Sequence, residues 1–375
     1  MPYTQQDLLR VARRVNNTKR SYLLVNPLQA KHIPVPPSRA LEMMGALGDR
    51  LAEGWPEARL VIGFAETATA IGAAAAERLG EDCVYLHTTR ESFSGGQAWL
   101  HFSEEHSHAV DHALWGEGLG ERIARSPQVI LVDDELSTGR TLRNMAAKLR
   151  ERYPQLEGRE LIAASLLSRV SPEDEARLRE AGIFCVSLVR LEGDGAEETA
   201  ARVQAREAEE VQGRALHLRR EVLDCAPLPD PRLGVPIGRY QAACQQLAQS
   251  FAARFGQKLP GEAVVLGSEE CMYPALVLGA LLEERGLSVR CHATTRSPIG
   301  ISQAPGYPIT GGVRLRSFYD RDRTTYLYDL SPCSALVVVT DAPACNTGAL
   351  EQLAAGFGIS ETIFCLQGDG HVWYI

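Results

Sequence analysis

The stretch Val129 to Thr141, VILVDDELSTGRT, constrains what this chain can fold into more than any other. Val129, Ile130, Leu131 and Val132 form a short continuous apolar run with β-branched members, the pattern of a strand buried on both faces. Asp133 and Asp134 close the run. Ser137, Thr138, Gly139 and Thr141 then make a small hydroxyl-rich turn, and Leu142, Met145, Ala146 and Leu149 follow at helical spacing. The order is strand, acidic pair, phosphate-sized loop, helix.

A loop of amides and hydroxyls at a helix N-terminus suits a phosphate dianion, because free N–H groups and the helix dipole both favour negative charge. Two carboxylates just upstream cannot face the same phosphate without repulsion. They suit sugar hydroxyls or a divalent cation, and a ribose 5-phosphate satisfies that division of labour. For an isolated DD-x-x-x-T-G an ordinary strand with an acid-capped helix would often be the better reading; the whole pattern favours the ribose phosphate.

VILVDDELSTGRT resembles the loop that binds 5-phosphoribosyl 1-diphosphate (PRPP) in type I phosphoribosyltransferases of the orotate phosphoribosyltransferase kind. The resemblance implies that Asp133 and Asp134 hold the ribose hydroxyls. It implies that the run Glu135, Leu136, Ser137, Thr138, Gly139, Arg140 and Thr141 lines PRPP, with Ser137, Thr138, Gly139 and Thr141 around the 5-phosphate. A second tag, Thr295-Arg296-Ser297-Pro298, resembles the signature of the TRSP domain, found behind such transferases in bacterial tellurite-resistance and stress-response gene clusters.

At 375 residues the chain is long for one core, so two domains are expected. With 45% hydrophobic and 23% charged residues the composition is globular, and a net charge of -8 argues against a nucleic-acid binder. The nine cysteines are scattered without a C-x-x-C pair, which reads as reduced core thiols. Neither a signal-like N-terminus nor a membrane-length apolar run occurs, so a soluble cytoplasmic protein is expected, with no membrane partner.

Strand-like runs at Ser21–Asn26, Leu60–Gly63, Val84–Leu86, Leu161–Leu167 and Phe184–Leu188 alternate with helical patterns at Arg39–Glu53 and Ala68–Leu79. Alternation of this kind implies a parallel α/β sheet with ligands at the carboxyl ends of its strands. Residues 196–220, rich in Ala, Glu and Arg, read as a helical connector. The pattern then restarts. Pro27-Leu28, Val35-Pro36 and Arg39 match Pro227-Leu228, Val235-Pro236 and Arg239 at an offset of 200. Gly63 matches Gly267, Thr88-Thr89-Arg90 matches Thr294-Thr295-Arg296, Asp134 matches Asp341, and Thr138-Gly139 matches Thr347-Gly348, the offset creeping only to 209. The expected fold is α/β, with two tandem phosphoribosyltransferase-like, Rossmann-like units with parallel sheets, the second degenerate. Two unrelated α/β domains sharing generic loop chemistry are the alternative. The expected boundaries are 1–195 for the transferase domain, 196–220 for the connector and 221–375 for the TRSP domain.

By analogy with the family, the amides of Ala65, Glu66 and Thr67 face pyrophosphate. Glu66 departs from the family by placing a carboxylate there, which assigns it with Asp133 and Asp134 to magnesium or its waters. Arg90 matches a position where the family carries pyrophosphate-binding basic residues. The stretch Phe102 to Trp115 falls where the family's mobile flap lies, with Glu105, His106 and His108 as polar contacts to substrate; Glu105 and His106 join Asp133, Asp134 and Arg90 as the catalytic candidates. Its competing reading is a metal-dependent hydrolase built on the histidines of residues 101–112. Lys31 and His32, in the segment matching the family's hood, are assigned with His108 to the acceptor.

In the second copy Thr340-Asp341 replaces the acidic pair and Ala342-Pro343-Ala344-Cys345-Asn346 replaces the hydroxyl turn, where a proline has no N–H to offer. That copy is therefore not expected to be a second transferase, and Arg296, Ser297 and Asp341 line a possible different pocket. The expectation is a Mg2+-dependent phosphoribosyltransferase joining PRPP to a small nitrogenous acceptor with release of pyrophosphate, or running in reverse. A non-catalytic PRPP or nucleotide sensor is the alternative class. The tandem repeat suggests a pseudo-dimeric monomer or a low-order homo-oligomer.

Overall fold

The computed structural model describes residues 3–15, 20–91, 99–102, 112–193 and 195–375. They form two compact units that interleave in sequence. Unit 1 takes Met1–Gln5, Glu42–Glu192 and Pro229–Gln241, and unit 2 takes Gln6–Leu41, Gly193–Leu228 and Ala242–Ile375.

Unit 1 is built on a six-stranded sheet in the order Val235–Pro236, Val84–His87, Leu60–Gly63, Gln128–Leu136, Glu160–Ser168, Ile183–Arg190. All neighbours are parallel except the first pair. The central strands are continuous Val, Ile and Leu runs because a parallel sheet is covered on both faces, and Leu60, Val61, Ile62, Ile130, Leu131 and Val132 are all fully buried. The helix Thr69–Arg78 is Ala-rich for the same reason, every residue from Thr69 to Ala76 being buried.

The acidic strand is longer than its apolar run. Pairing with Glu160–Ser168 continues through Asp133↔Ser165 and Leu136↔Ser168, so the ladder carries the two aspartates to the sheet's carboxyl edge. Sequence pattern ends the strand at Val132 because it reads side chains, whereas ladder hydrogen bonds depend only on a partner long enough to meet them.

Unit 2 repeats the plan. Its sheet runs Arg219–Val222, His371–Tyr374, Ile363–Gln367, Ala335–Thr340, Glu262–Gly267, Ser288–Ala293. The last four strands are parallel, in the order their counterparts take in unit 1. The first two joins are antiparallel, which is where the copies diverge.

The duplication extends to individual hydrogen bonds. Phe64 N donates to Val132 O at 2.9 Å, and Ser268 N to Val339 O at 3.0 Å; Thr88 N donates to Gly63 O at 2.9 Å, and Thr294 N to Gly267 O at 3.1 Å. The Ala65 amide donates to Thr88 Oγ1 at 2.9 Å, and the Glu269 amide to Thr294 Oγ1 at 3.0 Å. Gly63 and Gly267 are glycine for one reason: a Cβ there would lie 2.9 Å from Ala68 O or 2.6 Å from Cys271 O.

The Val-Pro segments show why the units interleave. Val235 of the second repeat pairs with Tyr85 at the edge of unit 1's sheet, and Val35 of the first repeat bridges Cys291 at the equivalent edge in unit 2. Each sheet is thus closed by the segment preceding the other repeat, and the boundary expected at residue 195 does not delimit the compact units. The expected connector helix is also shorter, Ala196–Ala201 only. Beyond it Glu209–Glu210 and Arg219–Val222 are extended, because strands Gly312–Arg316 and His371–Tyr374 offer them backbone partners.

Candidate active site

The loops expected to carry chemistry stand at the carboxyl ends of unit 1's strands. The acidic strand presents Asp133, Asp134 and Glu135 half-buried, then Ser137 half-buried and Thr138, Arg140 and Thr141 exposed at the start of the helix Arg140–Arg152. That 13-residue helix is entered through Gly139, whose φ of 67° is left-handed and which has no side chain to cap it; the Arg140 amide donates to Thr138 Oγ1 at 3.4 Å. The first-turn amides of a helix beside an exposed hydroxyl turn suit an oxyanion. Leu136 is buried, so only its backbone faces the loop, and Glu135 pairs with Arg169 at 3.0 Å.

The loop after Leu60–Gly63 joins this edge. Thr67 Oγ1 donates to Asp134 Oδ1 at 2.9 Å, tying the 64–68 loop to the acidic pair. The Ala65–Glu66 peptide is cis, and both residues are buried, Glu66 to 5% exposure.

Arg90 lies beyond the next strand. Its Nη2 and Nε donate to His112 Nε2 at 2.8 and 3.2 Å. A guanidinium only donates, so His112 Nε2 must accept and the ring's proton sits on Nδ1. That nitrogen donates to Thr88 Oγ1 at 3.1 Å, the hydroxyl that also receives the Ala65 amide. A neutral imidazole therefore orients Arg90 and leaves its positive charge uncompensated by that partner. Sequence reading passed over Thr88 and His112. The signal for Thr88 was present, since Thr-Thr-Arg recurs at 294–296; His112 was grouped with its neighbouring histidines.

His112 belongs to the antiparallel hairpin of Trp99–Phe102 and His112–Trp115, where the flap was expected. Glu105, His106 and His108 lie outside the described residues. Among the described residues no group of three or more His, Cys, Asp or Glu could hold a metal ion. Asp133 and Asp134 are the kind of groups that could hold magnesium, which takes one or two protein carboxylates and completes its shell with water and phosphate oxygens. An open hollow of about 890 Å³ lined by Gln128, Pro154, Arg159 and Glu160 is at the opposite ends of the strands, away from all these groups.

Residues 8–192 match the phosphoribosyl transferase family, and residues 231–356 match the TRSP domain that lies C-terminal to it. The chain carries a phosphoribosyl transferase domain followed by a TRSP domain. A search of curated proteins gives no match. Among solved structures, the chain is similar to orotate phosphoribosyltransferase from Aeropyrum pernix, with 20% identity over 41% of this chain and 73% of that one, TM-score 0.26. It is also similar to adenine phosphoribosyltransferase from Giardia lamblia, with 16% identity over 50% and 96%, TM-score 0.36, and to that from Trypanosoma brucei, with 14% over 49% and 76%, TM-score 0.35.

In the TRSP half the corresponding groups are brought together but used differently. Arg296 pairs with the buried Glu269 at 2.7 Å, Tyr319 donates its hydroxyl to Asp341, and the Ser297 amide donates to Thr295 Oγ1 at 3.2 Å. The helix Thr347–Phe357 is capped, Asn346 Oδ1 accepting from Ala349 N at 3.3 Å. Lys31 and His32, assigned to the acceptor from the sequence, are both buried in unit 2, where the Lys31 ammonium donates to the carbonyls of Glu269 and Thr294 at 3.0 and 2.9 Å. His32 lies beside His292, whose burial lowers its pKa to about 3 and keeps it neutral.

Proposed function

We propose that this phosphoribosyl transferase is magnesium-dependent and moves ribose 5-phosphate from PRPP to a nucleobase-like nitrogenous acceptor, releasing pyrophosphate, or runs the same reaction in reverse. The observation that carries this reading is the contrast between the copies. At matching positions unit 1 has a helix entered through a left-handed glycine and an arginine oriented by a neutral histidine, whereas unit 2 has an Asn346 cap and an arginine paired with the buried Glu269.

In this reading Ser137, Thr138, Gly139, Arg140 and Thr141 hold the 5-phosphate through amides and hydroxyls. Asp133 and Asp134 accept from the ribose hydroxyls, with Thr67 setting the rotamer of Asp134. Arg90 stabilises charge on the pyrophosphate as the bond to the anomeric carbon stretches, and the 65–67 loop lines the same group. Asp133 and Asp134 would hold magnesium, with Glu66, the residue before the Thr67 that bonds Asp134, placed for its waters, and the ion would supply further neutralisation of that pyrophosphate. Positioning and electrostatics suffice, since no protein nucleophile is required. The acceptor is a small molecule and the compartment the cytoplasm; no helix among the described residues is long and apolar enough to cross a membrane.

Calorimetry with PRPP and Mg2+ tests the reading. The wild type should bind in a magnesium-dependent way, and Asp133→Asn/Asp134→Asn should weaken binding by roughly 1.5 to 3 kcal/mol per lost charge-assisted hydrogen bond while remaining folded. Equal affinity in a folded double variant would remove the ribose assignment.

A further inference from the structure

We propose that unit 2 contains an oxyanion site of the phosphate class that is occupied by the chain's own Glu269 carboxylate. Glu269 is fully buried, yet its carboxylate meets two guanidinium groups, Arg296 at 2.7 Å and Arg323 at 3.0 Å, and receives the Ser317 hydroxyl. The flanking groups are fixed by bonds of their own. Arg323 also donates to Ser317 Oγ at 2.9 Å, Asn346 Nδ2 donates to Ser317 O at 2.8 Å, and the Lys31 ammonium grips the Glu269 carbonyl.

The position of Glu269 in the repeat gives the network its meaning. Its amide donates to Thr294 Oγ1 as the Ala65 amide donates to Thr88 Oγ1, so the two residues occupy the same place at the carboxyl end of equivalent strands. Unit 1 has a methyl group there, beside an arginine held by a neutral imidazole. Unit 2 has a three-carbon arm ending in an anion, and that anion takes the arginine at the matching position, Arg296.

The donor set points the same way. Without the Glu269 carboxylate, the two guanidinium groups and the Ser317 hydroxyl that it engages would face the space it held, and a phosphate dianion can accept several such hydrogen bonds at once. A buried carboxylate lost without replacement leaves its partners' charges uncompensated, which favours capture of an anion from solution. This assignment rests on the duplication and on contacts within unit 2, and it stands whether or not unit 1 transfers a ribose phosphate.

The test uses the full-length chain with Glu269→Gly, chosen because Glu269 has a φ of 43°, which glycine adopts without strain. Inorganic phosphate is titrated by calorimetry into wild type and variant. The variant should take up one more equivalent of phosphate per chain than the wild type, and phosphate should raise its melting temperature more than that of the wild type. The extra equivalent should persist when Asp133→Asn/Asp134→Asn is added and vanish with Glu269→Gly/Arg296→Gln/Arg323→Gln. If Glu269→Gly folds only when phosphate is present, the proposal is supported in a stronger form. A folded variant with the wild-type number of phosphate sites, or one that stays unfolded at every phosphate concentration, overturns it.

Discussion

Replacing Gly139 by alanine tests how the phosphate-sized turn is built. Gly139 has φ 67° and ψ 10°, and an alanine there pays the left-handed penalty of about 1 to 2 kcal/mol. A Cβ on it would also lie 2.6 Å from Leu178 Cδ1, 2.9 Å from Cδ2 and 3.1 Å from Cγ. Leu178 is fully buried in the helix Pro172–Glu180 and cannot swing into solvent, so the collision adds an overpacking cost of about 1 to 3 kcal/mol. Together the two effects predict a loss of about 2 to 5 kcal/mol from unit 1. Urea unfolding followed by tryptophan fluorescence reads this, since Trp55, Trp99 and Trp115 belong to unit 1. With a slope of about 2 kcal/mol per M, the midpoint should fall by about 1 to 2.5 M. Leu178→Ala alone should cost about 2 to 5 kcal/mol, and in the double variant the collision is relieved, giving a favourable coupling of about 1 to 3 kcal/mol. An unchanged midpoint in Gly139→Ala, or strict additivity in the double variant, would refute this account of the turn.

Two further outcomes are expected. Burial raises the Glu77 carboxyl to about 7, only partly offset by Arg78. The folded pKa then exceeds the unfolded value, so stability falls as pH rises from about 4.5 through 7, by at most about 3 kcal/mol; Glu77→Gln should abolish that slope when urea midpoints at pH 5 and pH 8 are compared, and an identical slope in the variant would count against it. His112→Phe removes the acceptor that orients Arg90 and should weaken PRPP binding about tenfold with little change in the unfolding midpoint, while His112→Gln, which can still accept, should fall between; undiminished affinity in the Phe variant would show that Arg90 needs no such support.

Features carried by local pattern were legible in the chain. The Val129–Val132 run, the acids and the Thr-Gly turn announced strand, edge and helix start, because a strand buried on both faces and a left-handed helix entry each demand particular residue types. The duplication was legible from matches that keep their order, and it recurs in the amide bonds of Ala65 and Glu269. Features depending on distant partners were hidden. Nothing local in Lys31-His32 tells that the lysine is enclosed by carbonyls of residues 269 and 294. The exchanged Val-Pro segments look alike whichever sheet they join, because backbone pairing is indifferent to side chains. Glu269 escaped notice because its counterpart, Ala65, is featureless; only the arginines that converge on it reveal its role.

Transfer from PRPP is read out by pyrophosphate release. The full-length protein is incubated with PRPP, Mg2+ and each of a panel of purine, pyrimidine and other nitrogen-heterocycle acceptors, and pyrophosphate is measured through a coupled pyrophosphatase. Release should be stoichiometric with a ribosylated product for at least one acceptor, abolished by Asp133→Asn/Asp134→Asn and strongly reduced by Arg90→Gln. Tight, magnesium-dependent binding of PRPP with no pyrophosphate released for any acceptor would contradict it and identify unit 1 as a sensor of the donor.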